Sequence, residues 1–251
     1  MLIGVNNIEI FWLTALMMSK QTENQKKLTE IYNFDSEKVK ITIDESTKKI
    51  PNTIPNDTFI FVKDDALDAD LCKRLIKIFD SHESKNRGMV TDGSVGGSRI
   101  DLSLKVTTEM SVSHSMKLLD VDKLVFESLS RGFSDYFINV YNNNPLYMTP
   151  FYNGKLFDTG FHIQKYEKNS GFYGWHTDEL VTENSIRRFA FIFYLNTVIE
   201  GGETMFLNGK VNPVRGRLLF FPSTWTYLHR GNVPISNDKY ILTGWMNVPI
   251  S

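Results

Sequence analysis

The sequence predicts a mainly β fold with flanking helices (α+β), in which a double-stranded β-helix, or jelly roll, packs against helices on its N-terminal side. Two observations predict it. First, segments rich in β-branched and aromatic residues follow residue 155 at short intervals: Gly160–Lys165, Arg188–Leu195, Arg215–Phe221 and Tyr240–Asn247. Second, turn sequences separate them, namely Gly201-Gly202, Asn208-Gly209 and Asn212-Pro213. Many short strands in succession are typical of a β-sandwich or barrel.

The residues before this region predict one short strand and two helices. An apolar strand at Thr58–Lys63 precedes a helix at Leu67–His82, for which Asp68 is a candidate N-cap. A second helix is predicted from Asp120 to Tyr141. We interpret its apolar residues as a core-facing stripe made of Leu124, Leu129, Phe133, Phe137 and Val140. The glycines of Gly88–Gly97 indicate a flexible loop and not a phosphate-binding loop, because no Gly-Lys-Ser/Thr follows them.

A change of composition predicts a division near residue 57. From Ser19 to Asn56 the chain is polar and charged, and Pro51 and Pro55 are typical of a linker. Residues 1–57 are therefore expected to form an N-terminal extension of unknown role, and 58–251 one domain with its jelly-roll core at about 155–251. The apolar run Ile8–Met18 lacks a preceding Lys or Arg and contains Glu9, so we expect a packing helix and not a secretory signal.

Composition limits the classes of partner. The 251 residues include 28 Lys and Arg against 29 Asp and Glu, so bulk charge gives no strong nucleic-acid signal. A single cysteine, Cys72, excludes an internal disulfide and a cysteine-built metal site, and it favours a reducing, cytoplasmic location. No run of 18 uncharged residues exists, so no membrane span is expected. Composition does not indicate an oligomeric state.

One set of residues indicates a metal site. His176 and Asp178 are two residues apart, and side chains at i and i+2 of an extended segment share a face. His229, beyond two or three predicted strands, can supply a second imidazole. Two histidines and one carboxylate form the facial triad that suits non-haem Fe(II). The pattern His-x-Asp alone is weakly specific. The alternative is therefore that His176 is an ordinary core or surface histidine without a metal.

Two further residues have both a functional and an ordinary interpretation. Lys239 opens the last predicted strand, where it either pairs with a carboxylate inside the barrel or is solvated at the sheet edge. Tyr194 either donates its hydroxyl to the same carboxylate or is a core aromatic with a hydrogen-bonded tip. The residue pattern leaves both pairs of alternatives open.

Motifs follow one another in a fixed order along the C-terminal part of the chain: Tyr166, Tyr173, His176-Thr177-Asp178, Phe193-Tyr194-Leu195-Asn196, Gly201-Gly202-Glu203-Thr204, Pro213-x-x-Gly216, Phe221-Pro222, His229 and Lys239-Tyr240-Ile241-Leu242-Thr243-Gly244-Trp245. On these motifs the chain from Thr58 onward resembles the 2-oxoglutarate/Fe(II) dioxygenases of the prolyl 4-hydroxylase (alpha subunit-like) type, over about three quarters of its length.

The resemblance implies a role for each matching position. His176, Asp178 and His229 would bind Fe(II), and Lys239 would hold the C5 carboxylate of 2-oxoglutarate, helped by Tyr194 and Thr243. Tyr166 would lie beside the cosubstrate, and Trp245 would pack behind the site. O2 would be the second cosubstrate, succinate and CO2 would be released, and ascorbate would keep the iron ferrous.

The resemblance implies a peptide or protein substrate, most simply a prolyl residue. Residues 84–118, including Arg99, and 142–160 are expected to face it. Arg230, beside a predicted ligand, would contact substrate or form a salt bridge. Three alternatives stay open: a related oxygenase acting on nucleic acid, a small molecule or another side chain; an inactive jelly-roll binding module; and a cupin-like isomerase.

Overall fold

A computed structural model of the chain describes residues 53–54, 59–91, 97–113, 115–143 and 156–250. The predictions for Ile8–Met18 and for the extension up to residue 52 lie outside the described residues. The division near residue 57 stays a prediction.

Two antiparallel sheets form the described domain. The larger sheet has the strand order β1-β13-β10-β15-β8-β6-β2, with β7 also paired to β15, and the smaller has the order β12-β11-β14-β9-β5. A separate hairpin joins β3 to β4. The bounds are β1 Phe61–Lys63, β2 Asn86–Arg87, β3 Val90–Thr91, β4 Ser98–Arg99, β5 Lys105–Val106, β6 Thr108–Ser111, β7 Phe157–Asp158, β8 His162–Tyr166, β9 Phe172–His176, β10 Ser185–Tyr194, β11 Thr204–Phe206, β12 Gly209–Val211, β13 Leu218–Pro222, β14 His229–Gly231 and β15 Lys239–Pro249.

The predicted jelly roll is confirmed, and so are four adjacent strands of its larger sheet. Each apolar segment identified after residue 155 contributes one strand, and these are β8, β10, β13 and β15. The predicted turn at Asn208-Gly209 lies one residue earlier, because Phe206 pairs with Gly209 and leaves Leu207 and Asn208 as the two-residue connection. The loop predicted at Gly88–Gly97 contains the short strand β3, which pairs with β4.

Two helices are described, α1 at Ala69–Ser81 and α2 at Leu119–Asn143. The predicted cap of α1 is confirmed, since the Asp68 carboxylate accepts hydrogen bonds from the backbone N–H groups of Asp70 and Leu71. None of the described helices is long and apolar enough to cross a bilayer.

The buried face of α2 differs from the predicted stripe. Leu129, Phe133 and Val140 are buried as predicted, but Leu124 is 41% exposed and Phe137 is only partly buried. The other positions on the core side are Val121, Val125 and Tyr136. Phe133 and Tyr136 pack on rings of the larger sheet, and the closest pair is Tyr136 with Phe220 at 4.8 Å between ring centres. The face of α2 that packs on the aromatic side chains of the sheet is therefore rotated about the helix axis from the face that the sequence predicted.

An apolar cluster, separate from the packing of α2 on the larger sheet, fills the space between the two sheets. Side chains along each strand of the larger sheet alternate between its two faces. The aromatic rings on one face pack against α2, and the side chains on the other face point toward the smaller sheet. The inward residues meet Phe206 and Val211 of the smaller sheet. The inward members from the larger sheet are Tyr166, Ala190, Ile192, Tyr194, Leu219, Phe221 and Ile241. This interior is where the candidate site lies.

The outer edge of the smaller sheet is covered by a short piece of upstream chain. The N–H of Thr53 donates to the carbonyl of Lys210 over 3.2 Å, and the N–H of Lys210 donates to the Thr53 hydroxyl over 3.1 Å. Ile54 packs against the interior cluster. Residues 53–54 therefore belong to the folded domain and protect β12.

Candidate metal centre

The structure brings together the side chains of His176, Asp178 and His229. His176 ends β9 and pairs directly with His229, which begins β14, while Asp178 follows β9 by two residues. One potential ligand atom from each residue lies within 4.8 Å of the other two. The Nε2 of His229 is 3.5 Å from Oδ2 of Asp178. Pairing of two short strands thus places the three groups at one point inside the barrel.

Both imidazoles are fixed in the orientation that a metal ligand needs. Nδ1 of His176 is 2.8 Å from the carbonyl oxygen of Gly174, and Nδ1 of His229 is 2.9 Å from that of Tyr227. A carbonyl only accepts, so each Nδ1 carries a proton, and in the neutral tautomer that this selects the lone pair is on Nε2. Backbone partners of this kind set the tautomer and the ring plane of metal-binding histidines.

The electrostatics give the charge states that bind a cation. Burial, with a contribution from the neighbouring His229, lowers the pKa of His176 to about 3, so its ring is neutral. Burial alone would raise the pKa of Asp178. The two imidazoles, the nearby indole N–H of Trp245 and Arg187 outweigh burial and bring that pKa below its ordinary value. A neutral imidazole beside a carboxylate anion is ready to bind a metal ion without losing a proton.

The donor set fits iron. Two imidazole nitrogens and one carboxylate oxygen leave further coordination positions open, which is the arrangement of non-haem Fe(II) oxygenases. A closed structural zinc site would need a fourth protein ligand. No fourth His, Cys, Asp or Glu joins the group within the described residues.

Lys239 faces the same interior from the larger sheet. It is 1% exposed, and its Nζ donates to the carbonyl of Gly202 over 2.9 Å. Nζ also lies 4.3 Å from the ring centre of Tyr166, and a Cβ on Gly231, two residues after His229, would be 3.6 Å from it. Burial lowers the pKa of Lys239 to about 7, although the charge of Glu203 opposes this. Of its two interpretations from sequence, the solvated edge residue is excluded.

The other predicted cosubstrate contacts have different surroundings. The Tyr166 hydroxyl donates to Oε1 of Gln164 over 3.0 Å, and the Tyr194 hydroxyl shares a 2.7 Å hydrogen bond with the hydroxyl of Thr204. Both rings belong to the interior cluster. The Thr243 hydroxyl donates to the carbonyl of Phe191 over 2.7 Å. Because its only proton is bound to a strand carbonyl, Thr243 has no hydrogen bond to donate to a carboxylate in this arrangement.

The sequence assigned no role to two residues beside Asp178. Tyr173 stacks on His176 with 3.5 Å between ring centres and 15° between planes. Arg187 lies with its guanidinium carbon 3.8 Å from the ring centre of Trp245. Nε of Arg187 and Nε1 of Trp245 are buried without a hydrogen-bond partner among the described residues. The sequence feature that could have identified Arg187 is the pair Arg187-Arg188 at the start of an otherwise apolar strand.

A cleft of about 240 Å³ opens beside His176. Its walls include Arg99 and the β3–β4 hairpin, so part of the predicted segment 84–118 does line the site. Most of the second predicted segment, 142–160, lies outside the described residues. Arg230 lies with its guanidinium carbon 5.0 Å from the ring centre of Trp175.

The comparisons with known proteins agree with this geometry. Residues 161–247 match the family model described as the 2OG-Fe(II) oxygenase superfamily, and this range contains all three triad residues and Lys239. Residues 161–247 therefore resemble the 2OG-Fe(II) oxygenases. No curated protein sequence matches this chain.

Solved structures share the fold of this chain at low sequence identity. The viral collagen prolyl hydroxylase of Paramecium bursaria Chlorella virus-1, in its 2OG complex, is 19% identical with a TM-score of 0.50, and the match covers 76% of this chain and 97% of that one. A Trichoplax adhaerens prolyl hydroxylase, in complex with a hypoxia inducible factor peptide fragment, is 15% identical with a TM-score of 0.57, covering 76% and 84%. A Pseudomonas putida prolyl-4-hydroxylase is 17% identical with a TM-score of 0.50, covering 75% and 92%.

Proposed function

We propose that this chain is a dioxygenase that uses Fe(II), 2-oxoglutarate and O2 to hydroxylate a C–H bond, most simply of a prolyl residue in a peptide or protein, with release of succinate and CO2. One observation carries the proposal. The His176, Asp178 and His229 side chains meet inside the barrel, and the buried ammonium of Lys239 faces the same interior.

The three triad residues would hold the iron. Nε2 of His176 and His229 and a carboxylate oxygen of Asp178 are the donors, and the backbone carbonyls of Gly174 and Tyr227 keep both rings in position. When bound, the iron supplies the oxidising chemistry, with 2-oxoglutarate as reductant and O2 as oxidant. The contribution of the chain is to orient these groups and to exclude water.

Lys239 would hold the distal carboxylate of 2-oxoglutarate. A buried ammonium with one backbone acceptor has donors to spare, and a carboxylate would satisfy them with a charge-assisted hydrogen bond. Tyr166 and Tyr194 line the same interior, so their rings would pack against the carbon chain of the cosubstrate. A role for Thr243 as hydrogen-bond donor would need its hydroxyl to leave the Phe191 carbonyl.

The choice of a prolyl substrate rests on likeness of fold, which is weaker support than the site itself. The three solved structures named above are prolyl hydroxylases, and one of them was determined with a bound peptide fragment. The cleft beside His176 would give an extended peptide access to the metal position. Ascorbate is expected to keep the iron ferrous between turnovers.

Mass spectrometry tests the proposal directly. The full chain would be incubated with Fe(II), 2-oxoglutarate, ascorbate and a panel of peptides that differ in whether they contain proline. A gain of one oxygen atom confined to proline-containing peptides, with matching succinate, supports it. His176→Ala should show neither product. Release of succinate without any oxidised peptide would mean that the substrate is not a peptide but belongs to another class. Absence of succinate release would mean that the chain is a binding module.

A further inference from the structure

Behind the metal site lies an ion pair that the proposed reaction does not use. Lys105 on β5 is 5% exposed, and its Nζ is 2.6 Å from Oε1 of Glu109 on β6. β5 belongs to the smaller sheet and β6 to the larger one, so the pair connects the two sheets where the chain crosses between them. The hydroxyl of Thr107, within the crossing, donates to the same Glu109 oxygen over 2.9 Å.

The ion pair touches the metal site through one aromatic ring. Lys105 is directly opposite Tyr173 in the β5–β9 register, and its Nζ lies 4.6 Å from the Tyr173 ring centre. Tyr173 in turn stacks on His176 at 3.5 Å. The order along this column is therefore ammonium, phenol ring and imidazole, and the imidazole belongs to the triad. A cation over a ring face is an attractive contact, so Lys105 holds the Tyr173 ring on the side opposite His176.

The contacts of Lys105 argue against its binding a free anion. Its ammonium meets Glu109 on one side, the face of Tyr173 on another and the carbonyl of Met89 at 3.4 Å. These three groups account for its three N–H donors. The charge of Lys105 is thus directed at the ring and not at the cleft.

Gly88, from the glycine-rich segment, packs over this pair. A Cβ at Gly88 would lie 2.0 Å from the Thr107 hydroxyl oxygen, 2.8 Å from Oε1 of Glu109 and 3.0 Å from Cε of Lys105. Any side chain at residue 88 would have to displace the Thr107 hydroxyl and the Glu109 carboxylate. The glycine therefore lets the backbone cover the ion pair closely.

We propose that the Lys105–Glu109 ion pair positions the metal site, by holding the Tyr173 ring flat against His176 and so fixing the plane in which His176 presents Nε2. The inference rests on the proposed function, because it assigns the pair a role toward the same metal ligand. Lys105, Glu109 and Tyr173 act as positioning residues. The backbone hydrogen bond at Nδ1 fixes one edge of the imidazole, and the stacked ring restrains its tilt.

Metal affinity tests the inference without any turnover. The full chain would be titrated with Co(II), whose visible absorption reports the geometry of its ligands. Lys105→Met should weaken Co(II) binding by about tenfold, as loss of an orienting partner typically does, and should alter the spectrum. Lys105→Arg keeps a cation over the ring and should restore both to within about threefold of the parent.

The chain offers a matched control. Lys165 also forms an ion pair, with Asp238 at 2.9 Å, and also lies over a ring, Tyr240 at 5.7 Å, but it faces away from the interior. Lys165→Met should keep the parental Co(II) affinity and spectrum. Equal weakening by Lys165→Met, or unchanged binding by Lys105→Met, would overturn the inference while leaving the proposed function in place.

A second pair of variants decides the matter if Lys105→Met does not fold. Tyr173→Phe keeps the stacked ring and should bind Co(II) like the parent, whereas Tyr173→Leu should weaken it by about tenfold. Parental binding by Tyr173→Leu would overturn the inference. A parent chain that does not bind Co(II) at all would overturn the proposed function and this inference together.

Discussion

The ammonium of Lys239 donates to the carbonyl oxygen of Gly202, and no second hydrogen-bond partner of this group is found among the described residues. Gly202 turns its carbonyl inward from a backbone with φ of +72°, a conformation that glycine adopts without strain. A buried cation with unused donors is costly unless an anion joins it. This relationship makes Lys239 the most direct test of cosubstrate binding.

Replacing Lys239 by Met should abolish tight binding of 2-oxoglutarate. Truncating one partner of a buried charged pair typically costs about 2 to 5 kcal/mol, so the Kd should rise by at least about 30-fold. Calorimetric titration of the Co(II)-loaded chain measures this. The Co(II) affinity of the variant should stay parental, since Lys239 is not a ligand. Unchanged 2-oxoglutarate affinity would remove Lys239 from the site.

The affinity for 2-oxoglutarate should fall as the pH rises through about 7. Burial lowers the pKa of Lys239 to about 7, so above this pH the free protein carries a neutral amine. The amine must then take up a proton to pair with a carboxylate, which costs up to about tenfold in affinity per pH unit. Calorimetry in two buffers of different ionisation enthalpy should show proton uptake above pH 7 and none below it. Lys239→Arg stays protonated, so a persistent pH dependence in that variant would assign the effect to another group.

Asp178→Asn should remove metal-dependent stabilisation. A ligand at 100 times its Kd stabilises the folded state by about 2.7 kcal/mol, so Co(II) should raise the Tm of the parent. Asp178→Asn loses an anionic ligand, and its affinity should drop by more than the roughly 10- to 100-fold that a lost orienting partner costs. Thermal melts with and without Co(II) compare the two chains. An equal metal-induced shift in both would exclude Asp178 as a ligand.

Two leucines on α2 should differ sharply in their effect on stability. Leu129 is 1% exposed and Leu124 is 41% exposed, although the sequence assigned both to the core stripe. Leu129→Ala should cost about 2 to 5 kcal/mol of unfolding free energy, and Leu124→Ala about 0.5 kcal/mol or less. Chemical denaturation measures both. Comparable losses would mean that α2 packs on its predicted face after all.

Gly88→Ala should weaken metal binding although residue 88 is not a ligand. The added methyl group would displace the Thr107 hydroxyl and the Glu109 carboxylate, and so release Lys105 from its partner. We expect the Co(II) affinity to fall in the same direction as in Lys105→Met. Gly97→Ala is the control, because a Cβ there meets nothing within 4 Å. Co(II) titration of the two variants should separate them, and parental binding by Gly88→Ala would contradict the close packing.

The strongest local patterns predicted four strands of the larger sheet and the pairing of two triad residues. β8, β10, β13 and β15 are long or strongly apolar, and His176 and Asp178 share a face through simple strand periodicity. The residue pattern offered His229 and Lys239 only as candidates, and the family resemblance gave them their roles, since no local rule says which distant strands meet. Their convergence depends on long-range pairing, such as His229 with His176.

The strands of the smaller sheet were harder to predict. β9 and β14 contain a glycine, and β11, β12 and β14 have only three residues each, too few to establish a periodicity. The Lys105–Glu109 pair was also missed. Its residues lie near each other in sequence, but their meaning depends on Tyr173, almost seventy residues further along.

The contact of Thr53 with β12 bears on how a soluble fragment should be designed. An unpaired strand edge is a template for association with other chains. A fragment that starts at Thr58, the predicted domain start, would lose both hydrogen bonds to Lys210 and the packing of Ile54. Such a fragment should form aggregates or edge-to-edge dimers, whereas one that begins a few residues before Thr53 should remain dispersed.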